Sequence, residues 1–106
     1  MKSKRAKVCE ISKTVKEKVF QRDNGLCIFC GRPGIPNAHF IPRSAGGLGI
    51  EENVFTACII CHNEQDNGKD TEKFDKLAEA YLKSKYKNWN KKDLIYDKWR
   101  IFQWIK

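Results

Sequence analysis

Four cysteines, spaced as Cys27-x-x-Cys30 and Cys58-x-x-Cys61, are the residues of this chain whose arrangement carries the plainest chemistry. A C-x-x-C turn presents two thiolates to one ion. Two such turns complete the tetrahedron that zinc prefers, with Zn–S bonds of about 2.3 Å and no open position. Between the turns lies His39, and directly after the last cysteine lies His62, the two histidines of the whole sequence. A structural zinc would therefore help to pin both imidazoles. Four residues beyond His62 stands Asp66, and on a helix an i, i+4 pair shares a face and can meet a single ion. Disulfides or a redox dithiol are the competing reading of the cysteines, disfavoured by spacing and expected compartment. Cys9 is then a spare thiol, expected to be free.

The elements that must position these groups can be sketched from pattern. Met1 to Glu10 reads as a basic arm without apolar periodicity, loosely held. Ser12 is a candidate N-cap for a first helix over roughly 12–24, with Val15, Val19 and Phe20 at helical spacing and a stop at Asn24-Gly25. Leu26 and Ile28 flank the first cysteine turn and are expected to pack beneath it. Asn37 to Pro42 alternates as a short strand, and Ser44 to Gly49 is expected to be a flexible loop without regular structure. Ile50, Val54 and Phe55 return the chain as the second arm of a hairpin, with Asn53 at the bend. From His62 a short helix follows. Phe74, Leu77, Ala78, Tyr81 and Leu82 then mark an amphipathic helix ending near Tyr86. Trp89, Leu94, Ile95, Trp99, Phe102 and Trp104 form an aromatic-rich tail, read mainly as core, with Asn90 as cap of a last helix from about 91.

One hundred and six residues make one small α+β domain, with a core over about 26–70, an arm over 1–11 and a helical extension over 71–106. Such a core is marginal by itself, so a metal crosslink should supply what burial cannot, and the metal-free protein is expected to be unfolded or molten. The sequence has neither a recognisable signal segment nor a long apolar run, which points to a reducing, cytoplasmic setting away from membranes. The net charge of +8 is unevenly placed. Residues 1–22 hold eight Lys and Arg against two acids, residues 69–106 eleven against six, and residues 23–68 only Arg32 and Arg43 against five. Basic flanks around an acidic, metal-bearing centre suit a protein that grips a polyanion. Lysine-rich helices that are simply solvated explain the same count.

The stretches AHFIPRSAGG and CIICHNEQDNG, with Asn53 between them, resemble the HNH endonuclease family, His39, Asn53 and His62 standing at the three named positions. The wider frame, from a helix before CIFCG to a tail with YLKSKYKNWNKKDLIYDKW, is similar to the small HNH proteins of phages and prophages. The resemblance implies the ββα-metal, treble-clef-like fold: a hairpin carrying His39 and a helix carrying His62, clamped around one catalytic divalent cation. It implies a metal-dependent DNA endonuclease that hydrolyses phosphodiester bonds, with DNA as partner and phage packaging (terminase) proteins as further candidates.

Within that expectation His39 is the general base, since a neutral imidazole with a pKa of about 6.5 suits deprotonation of water at pH 7. Its second nitrogen should donate to a fixed acceptor, commonly a backbone carbonyl. His62 and Asp66 would hold the catalytic ion. The colicin nucleases carry a histidine at the place of Asp66, and a carboxylate there favours Mg²⁺ or Mn²⁺. Asn53 either braces the hairpin or reaches the metal shell, with bracing favoured. At the position before the base the family carries a metal-ligating Asp, Glu or His, whereas this chain has Ala38. The ion would then rest on His62, Asp66 and waters, or draw on Asn37 or His39. Arg43 is a candidate phosphate clamp or a plain surface residue, and Lys2, Lys4, Arg5 and Lys7 are candidate DNA contacts. The competing function is a catalytically weak or inactive zinc-containing module that binds DNA or protein, with Ala38 as its mark.

Overall fold

The computed structural model describes residues 3–97. Lys2, Trp99, Phe102 and Trp104 lie outside the described residues, as does most of the expected last helix.

Two short helices open the chain. The first, α1, spans Lys4–Cys9, where a loosely held arm was expected. Six residues are too few to hold a helix by propensity, and tertiary contacts supply the difference. The Ser3 hydroxyl accepts from the Ala6 amide, and Cys9 is buried. The Gly49 amide donates to the Val8 carbonyl, and Arg5 Nη2 donates to the Ser44 carbonyl at 3.0 Å. The second helix, α2, covers Lys13–Arg22 with Ser12 as N-cap, its hydroxyl accepting from the Val15 amide. It ends where Asn24 and Gly25 both turn to positive φ, 56° and 67°.

Strands β1 (Ile35–His39) and β2 (Val54–Ala57) pair antiparallel, with Ala38 opposite Phe55 and His39 opposite Val54. All four residues of β2 are buried. In β1 the alternation puts Ala38 wholly inside while Asn37 and His39 face the other way. The expected strand over 37–42 is thus shifted toward its N-terminus, because Pro42 opens a 3₁₀ turn over Arg43–Ala45. The connection that follows is packed rather than flexible. Leu48 is fully buried, and Asn53, also fully buried, holds the connection from within.

Helix α3 runs Ile59–Asn67, three residues earlier than expected, because Cys58 caps it: its sulfur accepts from the Cys61 amide. Helix α4 covers Thr71–Lys85. Ala78 and Leu82 are buried and Phe74 and Tyr81 partly so, but Leu77 stays 48% exposed and is not part of the core. Leu26, expected beneath the cysteine turn, is also exposed, whereas Ile28 packs on the core. Beyond α4 a 3₁₀ turn over Lys91–Leu94 buries Leu94, and Trp89 stacks at a tilt on Phe40 with centroids 5.7 Å apart.

The core is an aromatic stack between sheet and helices. Phe29, inside the first cysteine turn, meets Phe55 edge-on at 5.4 Å and Phe74 at 4.9 Å, so the turn is fastened to β2 and α4 by one ring. A second fastening is polar. Asp23, 6% exposed, receives a bidentate pair from Arg22 at 2.8 and 3.0 Å, the Thr56 amide at 2.9 Å, and the Tyr81 hydroxyl. Arg22 also donates to the Glu51 and Val54 carbonyls and to the Tyr86 hydroxyl. Among the described residues no helix is long and apolar enough to cross a membrane.

Candidate active site and metal cluster

The four cysteine sulfurs come together. Cys27 and Cys30 lie in the turn before β1, Cys58 and Cys61 at the start of α3, and their Sγ atoms all lie within 4.8 Å of one another. Tetrahedral zinc with bonds of about 2.3 Å spaces its sulfurs about 3.8 Å apart. The Cys30–Cys58 separation is 3.6 Å, close to that value and far beyond a disulfide's roughly 2.05 Å. Four soft donors at this spacing fit a metal ion such as zinc. The Cys61 amide, donating to the Cys58 sulfur, draws the Cys58 thiol down to about 7, and thiolate is the form that binds metal. Burial and the neighbouring thiols push the Cys61 thiol up.

Beside α3 opens a cleft of about 800 Å³, lined by residues of α2, β1, the 3₁₀ turn, α3 and α4. It gathers His39, Arg43, His62 and Asp66 on one surface, with Asn37 and Lys16 also on its walls. His62 Nε2 lies 3.5 Å from Asp66 Oδ2, the i, i+4 approach that one helix face provides. Their side chains keep 29% and 54% of their exposure, so both remain open to an ion from the cleft. Among the described residues the four cysteines are the one group of three or more Cys, His, Asp or Glu ligand atoms gathered closely enough for a metal. His62 and Asp66 offer a two-ligand edge whose remaining positions would fall to water or substrate.

His39 is held differently. Its Nε2 lies 3.0 Å from the carbonyl oxygen of Cys9. A carbonyl can only accept, so Nε2 carries the proton and Nδ1 is left as the acceptor. Burial lowers the His39 pKa below its usual 6.5. The positive Arg43 and His62 add to that lowering, while the Cys9 carbonyl and Asp66 oppose it.

Asn53, grouped with the two histidines by resemblance, does not reach this cleft. Its Oδ1 accepts from the Ile41 amide at 2.8 Å, and its Nδ2 donates to the carbonyls of Ile41 at 3.1 Å and Leu48 at 2.8 Å. The amide spends both its ends on the backbone flanking the loop between the strands. Ala38 faces the core, so position 38 could not carry a ligand into the cleft, whereas its neighbours on either side, Asn37 and His39, both line it. Arg43 and Lys16 bring positive charge to the rim. Lys4, Arg5 and Lys7 ride on α1, and Arg5 is engaged with Ser44.

Sequence reasoning missed several participants. Gln65, 4% exposed, donates to the His39 carbonyl at 3.4 Å, and its Oε1 has no partner. Its i+3 relation to His62 could have placed it on the cleft side of α3. Asp75 and Thr71 bring α4 to the same cleft, and burial raises the Asp75 carboxyl above its ordinary value. No local signal marked the Cys9 carbonyl, because backbone acceptors leave no trace in sequence. Compared with protein-family models and with curated proteins, the chain matches none of them.

Proposed function

We propose that this protein is a metal-dependent nuclease of the HNH type that hydrolyses phosphodiester bonds in DNA, built on a structural zinc at Cys27, Cys30, Cys58 and Cys61. The observation that carries the reading is one cleft that combines a tautomer-fixed imidazole, His39, with a His62–Asp66 pair open to an ion and with Arg43 at the rim. These are the base, the metal edge and the phosphate neutraliser that phosphodiester hydrolysis requires.

A water oxygen attacks phosphorus while its proton passes to His39 Nδ1, and the bond from phosphorus to the 3′ oxygen breaks on the opposite side. Burial keeps His39 neutral and ready to accept at pH 7. Arg43 binds a non-bridging phosphate oxygen and orients the backbone for in-line attack. His62 and Asp66 would hold a divalent ion, Mg²⁺ or Mn²⁺ by the hardness of the carboxylate, which when bound would supply charge neutralisation at the phosphate and at the leaving oxygen. Asn53 holds the loop that carries Arg43 at a fixed distance from β1.

The test is conversion of supercoiled plasmid to nicked or linear forms, run with a metal series and with EDTA. Cleavage restored by Mg²⁺ or Mn²⁺ after EDTA, with zinc content unchanged, supports the nuclease. Protein that binds DNA but cleaves nothing under any metal is instead the zinc-containing binding module, a reading that the two-ligand edge and the buried Ala38 favour.

A further inference from the structure

We propose that α4 completes the divalent-ion site from its outer side: Asp75, with the Gln65 side chain beside it, accepts hydrogen bonds from waters in the positions that His62 and Asp66 leave open. The inference rests on the reading above for the ion itself, but the role of Asp75 and Gln65 is tested without DNA and without cleavage.

Asp75 is placed by well-fixed neighbours. It stands one turn after Thr71 on α4, and both residues line the cleft with His62 and Asp66. The Thr71 hydroxyl donates to the Gly68 carbonyl at 2.9 Å, which ties the start of α4 to the end of α3. Gly68 keeps that turn tight, because a Cβ there would lie 2.5 Å from the Glu64 carbonyl oxygen. Phe74, next to Asp75 in the chain, meets Phe29 at 4.9 Å and so fixes the face that α4 turns to the core. Burial raises the Asp75 carboxyl, the Gln65 amide opposes that rise, and the charge of Asp66 adds to it. A cation between two carboxylates relieves their repulsion.

The second observation is an orphaned acceptor in the same wall. Gln65 lines the cleft yet is only 4% exposed, and its Nε2 donates to the His39 carbonyl at 3.4 Å. A carbonyl can only accept, so the orientation of the amide is set, and its other end, Oε1, has no partner. Leaving a buried amide oxygen unpaired is costly, and a donor that arrives with the ion accounts for its place. Waters on a divalent ion are such donors, since Mg²⁺ keeps several of its waters when carboxylates bind it. Direct ligation by Asp75 does not fit the spacing: among the described residues only the four cysteines bring three ligand atoms within 4.8 Å of one another. Contact through water does fit. Ala38 faces the core and offers the ion nothing, and α4 supplies from the helical side what the strand does not. Asp75 and Gln65 are accordingly positioning residues, acting on the ion through its waters.

The experiment is calorimetry of Mn²⁺ on the zinc-loaded full chain without DNA, for wild type, Asp75→Asn, Gln65→Met and Glu72→Gln, with a urea midpoint for each. Wild type is expected to bind one Mn²⁺ beyond its zinc. Asp75→Asn and Gln65→Met should each weaken that binding about tenfold, as loss of a group that acts on a metal through its ligands does. Gln65→Met removes an unpaired buried oxygen and should keep a midpoint near that of wild type, whereas a merely structural glutamine would leave Mn²⁺ affinity unmoved. Glu72→Gln takes the same charge from α4 at a side chain that is 83% exposed and paired with Lys76, and it should change nothing. Folded Asp75→Asn that binds Mn²⁺ as tightly as wild type overturns the proposal and leaves the His62–Asp66 ion untouched. Should the variants not fold, Mg²⁺ added to wild type decides by NMR: the Gln65 side-chain amide and the Asp75 carboxyl must shift, and unmoved resonances at saturation overturn the proposal. Binding that depends on Asp75 in a protein that cleaves no plasmid supports it and sinks the nuclease reading. Wild type that binds no Mn²⁺ overturns both.

Discussion

His39 and the His62–Asp66 pair face one cleft but are held by different means, and their variants should separate accordingly. His39→Ala removes the proton acceptor and leaves the metal edge, so cleavage should fall by about 10² to 10⁴ while Mn²⁺ affinity measured by calorimetry barely changes. His62→Ala and Asp66→Ala should weaken Mn²⁺ binding itself. If His39→Ala loses the ion instead, the imidazole is a ligand and the base lies elsewhere. The pH profile follows from burial: because the neutral form of His39 is favoured, the acid limb of cleavage should lie below pH 6.5. The same residue contributes stability that is complete above 6.5 and is lost as pH falls through its lower folded value. Position 38 gives a further contrast. Ala38→Asp would bury a carboxylate against the core and should destabilise by about 3 kcal/mol or more, read as a lower midpoint in urea. Asn37→Asp, on the cleft face of the same strand, should instead tighten Mn²⁺.

At the scale of elements, a cysteine cluster that could hold a metal ion and a buried ion pair bring the parts together. The cysteine cluster ties the turn before β1 to the start of α3, and Phe29 locks that turn to β2 and α4. Removal of zinc by a strong chelator, or Cys30→Ser, should abolish cooperative unfolding followed by near-UV dichroism. A native-like spectrum from protein that contains no zinc would falsify the structural role. The Arg22–Asp23–Tyr81 network joins α2, β2 and α4 in the same way. Asp23→Ala leaves the largely buried guanidinium without its carboxylate and should cost about 3–5 kcal/mol. Burial alone would raise the Asp23 carboxyl, but the Arg22 and Tyr81 hydrogen bonds outweigh it and hold it below 3.8. The unfolded chain therefore binds more protons there, so this contribution is complete above pH 3.8 and disappears as pH falls through the lower folded value. Asp23 also pushes the Tyr81 hydroxyl, already raised by burial, up to about 12.

At the scale of the molecule, a charge of +8 on 106 residues sets a long-range attraction for polyanions, and the cleft rim gives it a local focus in Lys16 and Arg43. Most DNA contacts should go to phosphates, so affinity should fall steeply with salt and vary little with sequence. Arg43→Ala and Lys16→Ala should each reduce the slope of log K against log salt by about one, measured by fluorescence anisotropy on a short duplex. An unchanged slope in both would place the DNA path away from this cleft.

The sequence by itself determined the parts whose evidence is local. Spacing alone marked the cysteine pairs as a group that could hold one ion, because a C-x-x-C turn has few ways to present two sulfurs. Ser12 announced α2 through its cap, and the i, i+4 spacing of His62 and Asp66 placed them together because helical period does so wherever a helix forms. Tertiary structure decided what depends on partners distant in the chain. Helix α1 exists because Gly49 and Ser44 receive it, although its own six residues read as a solvated arm. The loop before Asn53 looked structureless because glycines favour nothing locally, yet one buried amide bonded to Ile41 and Leu48 gives it a fixed shape. Arg22 and Asp23 read as the polar end of a helix, since nothing nearby in sequence reveals Thr56 or Tyr81 arriving to bury them. The protonation of His39 was settled the same way, by a backbone carbonyl thirty residues away, and an acceptor that every residue possesses can be located only by the fold.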